Sequence, residues 1–166
     1  LQAERDQGIT IDTTQKFFKT KKRKYVFIDA PGHKEFIRNM ITGASSADIA
    51  VLIIDAHEGL KEQTKKHAYL LKLLGLDNVI CLFNKMDKIN YDERKFFKVE
   101  KELHKFITNI GINIAATIPV SAKRGDNIVR KSQNLSWYDD ETFCEILDTY
   151  NVNKGSDKLP LRLSLI

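Results

Sequence analysis

The sequence predicts an α/β fold, a doubly wound and mostly parallel β-sheet with an antiparallel hairpin at one edge. Short, fully apolar runs such as residues 49–54 are typical of strands buried on both faces of a parallel sheet. Longer stretches with apolar residues at helical spacing lie between them, so strands and helices alternate along the chain. The 166 residues, 42% of them apolar, are enough for one domain with its own core.

The predicted hairpin comes first. Residues 9–18 alternate loosely and are rich in Ile and Thr, and a basic turn separates them from the apolar residues 25–28. The pair Pro31-Gly32 then predicts a loop, and residues 35–43 form a helical pattern.

The rest of the chain alternates between strands and helices. Gly75 and Gly111 each follow a helical stretch and predict that the helix ends there. We expect Phe96 and Phe97 to lie on the buried face of the longest helix. Strands are predicted at 49–54, 79–83 and 114–120, and helices at 63–74, 91–110 and 141–150.

The last stretch, residues 158–166, alternates again after Gly155 and Ser156. We interpret residues 1–154 as one incomplete domain, and residues 155–166 as a linker and the start of a following β-barrel domain. The chain opens on Leu1 rather than Met, which we interpret as a sign of a fragment.

Composition favours a cytoplasmic protein. No apolar run is long enough to cross a bilayer, and Cys81 and Cys144 fall in core elements, where we expect them to be reduced. The net charge is +5, and its densest basic run, residues 19–24, has no interleaved aromatic residues. This run indicates a solvated hairpin tip rather than a nucleic-acid-binding surface.

The most informative motif is Asn84-Lys85-Met86-Asp87, directly after the predicted strand 79–83. A carboxylate such as Asp87 accepts two hydrogen bonds from the ring N–H and the exocyclic amine of guanine. Adenine offers neither donor, so the carboxylate would stay unpaired against it. The motif therefore predicts guanine selectivity, although no G-x-x-x-x-G-K-[ST] phosphate loop occurs in the chain.

Two further loops follow predicted strands and should share the same edge of the sheet. Asp29 can hold Mg²⁺ through water, Gly32 lets a backbone N–H approach a γ-phosphate, and His33 can orient an attacking water. An ordinary strand-to-helix turn capped by Asp29 is the alternative.

The other loop is Ser121-Ala122-Lys123. Its backbone N–H groups can donate to guanine O6, and the Lys123 stem can cover the base. Upstream, Thr10 can bind Mg²⁺ through its hydroxyl, with a simple β-branched strand start as the alternative.

In this order, the motifs resemble those of the translation-factor class of GTPases, whose domain is a P-loop NTPase G domain. Residues 38–44 (Arg-Asn-Met-Ile-Thr-Gly-Ala) look like the second switch of elongation factors 1-alpha and Tu. Within the class, the chain resembles more closely the GTP-binding large subunit of sulfate adenylyltransferase. Three stretches carry this likeness: residues 1–12 with Gln7, residues 55–64 without a Met-Pro step, and residues 125–127 together with Trp137 and Tyr138.

The resemblance implies GTP and Mg²⁺ as ligands and a cytoplasmic GTPase subunit whose hydrolysis drives sulfate adenylation on a catalytic small subunit. It implies Mg²⁺ binding by Thr10 and Asp29, γ-phosphate binding by Gly32 and water positioning by His33. Guanine would be bound by Asn84, Lys85 and Asp87 with Ser121, Ala122 and Lys123. The alternatives are an elongation factor that delivers aminoacyl-tRNA, and a non-catalytic remnant.

The resemblance also predicts that one strand of the sheet and the phosphate loop are missing from this sequence. In the family, the first strand and phosphate loop precede the residues matched here, and that strand lies between the hairpin and the strand at residues 49–54. Without it, we expect both neighbouring strands to have unpaired backbone groups and the chain to bind GTP weakly or not at all.

Overall fold

The computed structural model describes residues 14–29, 37–151 and 161–166. Within these ranges, two short 3₁₀ turns accompany the regular elements, at Met86–Ile89 and Gln133–Leu135. The strands are β1 (Thr14–Lys19), β2 (Lys24–Asp29), β3 (Ile49–Asp55), β4 (Asn78–Asn84), β5 (Asn113–Pro119) and β6 (Leu161–Leu165). The helices are α1 (Ile37–Ser45), α2 (Glu62–Leu73), α3 (Glu93–Asn109) and α4 (Phe143–Thr149).

The strands form one sheet in the order β1-β2-β6-β3-β4-β5. β1 and β2 are antiparallel and make the hairpin edge, whereas the pairs β2–β6, β6–β3, β3–β4 and β4–β5 are all parallel. The predicted fold class, a mostly parallel α/β sheet with an antiparallel edge, is confirmed.

The expected gap beside β3 is absent, and that prediction was wrong. β6 lies between β2 and β3, pairing Tyr25 with Leu161 on one side and Ile49 with Leu163 on the other. The physical reason is that both neighbours carry buried backbone groups that need partners, and an alternating apolar strand supplies them. Leu163 is fully buried within the core that this insertion completes.

This placement bears on the predicted boundary at residue 154. The described residues Leu161–Leu165 pair within the sheet. That residues 155–166 also begin a following β-barrel domain in a longer protein stays a prediction.

An ion pair fixes the start of β6. The Arg162 guanidinium donates to both carboxylate oxygens of Asp48, at 3.2 and 3.1 Å, and the Arg162 backbone N–H donates to the same carboxylate at 2.9 Å. The Asp48 side chain is only 10% exposed, so the pair satisfies a nearly buried charge and sets the register of β6.

Core residues cover both faces of the sheet. One cluster packs β3 and β4 against α2 and α3 and includes Phe83, Leu103 and Ile107. The other packs β3, β4, β5 and β6 against α4 and includes Phe143 and Leu147. Burial on both faces explains why β3 and β4 have the continuous apolar sequences from which they were predicted.

Most predicted elements agree with the structure to within a few residues. One side-chain expectation was wrong: Phe96 is buried, but Phe97 is 48% exposed. Adjacent residues on a helix point about 100° apart, and Phe97 lies on the more exposed side of Phe96. Residues 9–13 of the predicted first strand and the loop at 30–34 lie outside the described residues. In the described ranges, no helix combines the length and apolarity needed to cross a membrane.

Ser164 is a weak point in the centre of the sheet. Its side chain is fully buried, and within the described ranges its hydroxyl has no hydrogen-bond partner. We expect Ser164→Ala to raise the free energy of unfolding by about 1 kcal/mol, since it removes an orphaned polar group at little cost in packing. Urea denaturation measures this change.

Arg162→Ala is the matched control in the same strand. It leaves the Asp48 carboxylate without its guanidinium and should lower the free energy of unfolding by about 1–3 kcal/mol. A Ser164→Ala protein that is less stable than the unaltered chain would show that the hydroxyl has a partner.

Candidate guanine-binding site

The strand register brings the ends of three strands together at one edge of the sheet. Asp55, the last residue of β3, is paired with Asn84, the last residue of β4. On the other side, β4 pairs Phe83 with Pro119, so the loop after β5 begins beside the loop after β4. The edge predicted to bind a ligand therefore carries two of the predicted loops side by side.

Asn84 connects these two loops. Its side-chain oxygen accepts hydrogen bonds from the backbone N–H of Lys85, at 2.7 Å, and from that of Ala122, at 3.0 Å. Buried Met86 adds a backbone bond to Val120 at 3.2 Å. Asn84 is thus placed as a brace that sets the distance between the β4 and β5 loops.

Asp87 is held by the second loop. The buried Ser121 hydroxyl donates to an Asp87 carboxylate oxygen at 2.7 Å. This hydrogen bond is the main reason that the pKa of Asp87 lies below its ordinary value, and the nearby charges of Arg124 and Lys123 lower the pKa further. The carboxylate that would accept from guanine is therefore ionised at neutral pH.

Lys85 adopts an unusual backbone conformation and forms an ion pair. Its φ is +65°, in the left-handed region that few non-glycine residues occupy. Its ammonium donates to the Asp55 carboxylate at 2.6 Å. Desolvation pushes the pKa of Asp55 upward, but the hydrogen bonds from Lys85, His57 and Glu58 outweigh it, so this pKa is also lowered.

The loop after β5 has its own internal support. The Ser121 carbonyl accepts from the backbone N–H groups of Arg124, Gly125 and Asp126, with Gly125 at a φ of +81°. The Asp126 carboxylate accepts from Tyr91 at 2.8 Å. These bonds close the loop on itself and tie it to the start of α3.

Two of these supporting residues were missed from the sequence. Asp55 ends an apolar strand, as Asn84 does, and this position was the signal that could have identified it. Asp126 had no such signal, because its contact with Tyr91 joins residues 35 positions apart and its other partner, Ser132, belongs to no motif in the sequence.

The remaining predicted residues are less well defined by the structure. Lys123 is exposed in the β5 loop, and Asp29 ends β2 at the same edge, with β6 between it and β3. The predicted residues Thr10, Gly32 and His33 lie outside the described residues.

The described residues suit a purine base better than they suit a phosphate chain. They offer an ionised carboxylate, an amide side chain and exposed loop backbone within one cluster, which is the donor and acceptor set that guanine needs. Of the two residues predicted to bind Mg²⁺, only Asp29 is among the described residues. The predicted base-binding residues therefore all lie in the described part of the chain, whereas of the predicted phosphate-side residues only Asp29 does.

A mostly parallel α/β sheet with this loop arrangement defines a GTP-binding domain of the translation-factor type. Comparison with known families agrees, because the profile of the Elongation factor Tu GTP binding domain matches residues 1–153. The chain belongs to this family.

Relatives within the family carry two different names. Sulfate adenylyltransferase subunit 1 of Shewanella woodyi is 42% identical over 154 residues, covering 93% of this chain and 33% of the relative. Elongation factor 1-alpha of Thermococcus kodakarensis is 46% identical over 166 residues, covering 99% of this chain and 39% of the relative. The chain spans about a third of the length of the curated relatives that it matches first.

Solved structures show the same fold. A bacterial selenocysteine-specific elongation factor, EF-Sec, superimposes with a TM-score of 0.69 at 29% identity, over 91% of this chain and 24% of that one. The structure of sup35 with GMPPNP gives a TM-score of 0.67 at 28% identity, over 82% of this chain and 34% of that one.

The Ser121–Asp87 hydrogen bond should control the titration of the site. We expect Ser121→Ala to raise the pKa of Asp87 toward its ordinary value, because the carboxylate loses the donor that favours its charged form. A depressed native pKa adds stability above the unfolded-state pKa, and this contribution is lost as the pH falls through the native value. In the variant, this contribution should be smaller, and its loss should be complete at a higher pH. Carboxyl carbon chemical shifts measured against pH follow this change.

Ser132→Ala is the control for this measurement. Ser132 donates to Asp126 at 2.6 Å in an equivalent serine–aspartate pair outside the Asn84–Asp87 loop. Ser132→Ala should leave the pKa of Asp87 unchanged. A Ser121→Ala variant with an unchanged Asp87 curve would contradict our explanation of the shift.

Proposed function

We propose that this chain is the guanine-binding part of a GTPase domain in which Asn84, Lys85 and Asp87 form the base pocket with Ser121, Ala122 and Lys123. One observation carries the proposal: Asp87 is anchored by Ser121 while Asn84 binds the Ala122 backbone, so both loops form one cluster. The Asp87 carboxylate accepts from the guanine N1–H and 2-amino groups. Among the loop N–H groups, that of Ser121 already donates to Asp126 and that of Ala122 to Asn84, so O6 is left to the Lys123 N–H.

The phosphate half of the proposed site rests on the sequence motifs. Thr10 and Asp29 would hold Mg²⁺, Gly32 would bind the γ-phosphate through its backbone, and His33 would position the hydrolytic water. Bound Mg²⁺ would supply positive charge to the phosphates during hydrolysis. Removal of the γ-phosphate would then release the two loops that it orders.

For the complete protein, we propose the role of a sulfate adenylyltransferase large subunit that couples GTP hydrolysis to sulfate adenylation on a small catalytic subunit. The supporting features are Gln7, the absent Met-Pro step in residues 55–64, and residues 125–127 together with Trp137 and Tyr138. The competing role is delivery of aminoacyl-tRNA by an elongation factor, since relatives with both names match at similar identity.

The neighbouring genes distinguish the two roles. A subunit that works with a catalytic partner is expected to be encoded next to it, so sequencing the flanking DNA should reveal a sulfate-adenylating small subunit. Flanking genes for ribosomal proteins would favour the elongation factor.

Replacing the base acceptor tests the pocket itself. In this chain, we expect Asp87→Asn to lose at least about tenfold in affinity for GMP, because the amide offers a donor where guanine needs an acceptor. Xanthosine monophosphate carries a carbonyl at that position and should bind the variant better than GMP does. Titrations followed by amide chemical shifts measure both affinities.

Two comparisons complete the test. The unaltered chain should prefer GMP to AMP, and equal binding of the two would rule out the pocket. GTP with Mg²⁺ should bind no more than about tenfold better than GMP, or about 1.4 kcal/mol, since no phosphate-loop motif occurs in these 166 residues. A submicromolar dissociation constant for GTP by calorimetry would contradict this expectation.

A further inference from the structure

Lys85 has more than one carboxylate within electrostatic range. It lies two residues before Asp87, and its charge interacts with Asp55, Glu58 and Asp87. Among the described residues, its ammonium donates only to Asp55. A lysine free to move could instead pair with Asp87 and occupy the oxygens that guanine needs.

Asp55 is built to hold this lysine. One of its carboxylate oxygens accepts from the backbone N–H groups of His57 and Glu58, at 2.9 and 3.2 Å. The other oxygen accepts from Lys85, and the Asp55 side chain is only 15% exposed. The strand register places Asp55 beside Asn84, so its carboxylate lies at a fixed distance from the Asn84–Asp87 loop.

We infer that Asp55 is a positioning residue of the guanine pocket, which holds the Lys85 ammonium on the β3 side and so keeps the Asp87 carboxylate available to the base. This role rests on the proposed function, because it presumes that Asp87 binds guanine. It differs from a simple turn cap, because the cap uses one Asp55 oxygen and the lysine uses the other.

Asp55→Asn separates these two roles. The asparagine oxygen can still accept from His57 and Glu58, whereas the negative charge opposite Lys85 is lost. The first measurement is the acetylation rate of each lysine in the 166-residue chain, followed by mass spectrometry. Asp87 already accepts a hydrogen bond from Ser121, so it replaces Asp55 only in part as a partner of Lys85. The pKa of the Lys85 amine therefore falls, and we expect its acetylation rate to rise about two- to fivefold.

The second measurement is GMP affinity, with AMP as the reference ligand. Asp55→Asn should weaken GMP binding several-fold and leave AMP binding unchanged, because only guanine needs the Asp87 carboxylate. In a Lys85→Met background, the same substitution should have little further effect, since no ammonium remains to reach Asp87. Asp55→Glu keeps the charge and should recover part of the GMP affinity.

A matched control uses another lysine–aspartate ion pair. Lys72 donates to Asp77 at 2.9 Å, and Asp77 precedes β4 at the opposite edge of the sheet. Asp77→Asn should change neither the Lys85 acetylation rate nor GMP binding.

The outcomes separate the inference from the function on which it rests. An unchanged Lys85 acetylation rate in Asp55→Asn overturns the positioning role, as does an equal loss of GMP affinity in Asp55→Glu. The positioning role is also overturned if Asp55→Asn lowers GMP affinity by the same factor in the Lys85→Met background as in the unaltered chain. Asp55 would then act through the turn alone. Equal binding of GMP and AMP by the unaltered chain overturns the guanine pocket itself, even where the Lys85 acetylation rate rises.

Discussion

The structure depends on one constraint, that buried backbone groups on both sides of the sheet centre must find partners. β2 and β3 do not pair with each other, and β6 supplies hydrogen-bonding groups to both. With β6 in place, five strands run parallel and their carboxyl ends lie along one edge. That alignment is what brings loops from distant parts of the chain into one site.

The side chains of the candidate site bind each other. Asn84 connects the loops after β4 and β5, Ser121 holds Asp87, and Asp55 holds Lys85. Each bond fixes a group that would otherwise lose rotational freedom on binding a base. Asn84, Ser121 and Asp55 therefore each orient a neighbouring group at this edge.

The sequence was sufficient for features encoded by short-range patterns. Continuous apolar runs identified β3 and β4, helical spacing identified α2 and α3, and the Asn84–Asp87 motif was correctly placed at the end of β4. Features that depend on tertiary partners were not predictable in this way. The alternating pattern of residues 161–165 indicated a strand but not its neighbours, and the contact of Asp55 with Lys85 follows only from the register of β3 against β4.

The position of β6 also has a consequence for the order of folding. β6 is the last described strand in sequence and a central strand in space, with Tyr25 paired to Leu161. Contacts between residues so far apart carry a large loop-closure entropy and slow the folding of a domain. During synthesis, the hairpin and β3 leave the ribosome long before β6 is made, so their inner edges stay open to other strands. The sheet can close only after β6 has emerged, which makes the nascent chain most vulnerable to aggregation in that interval.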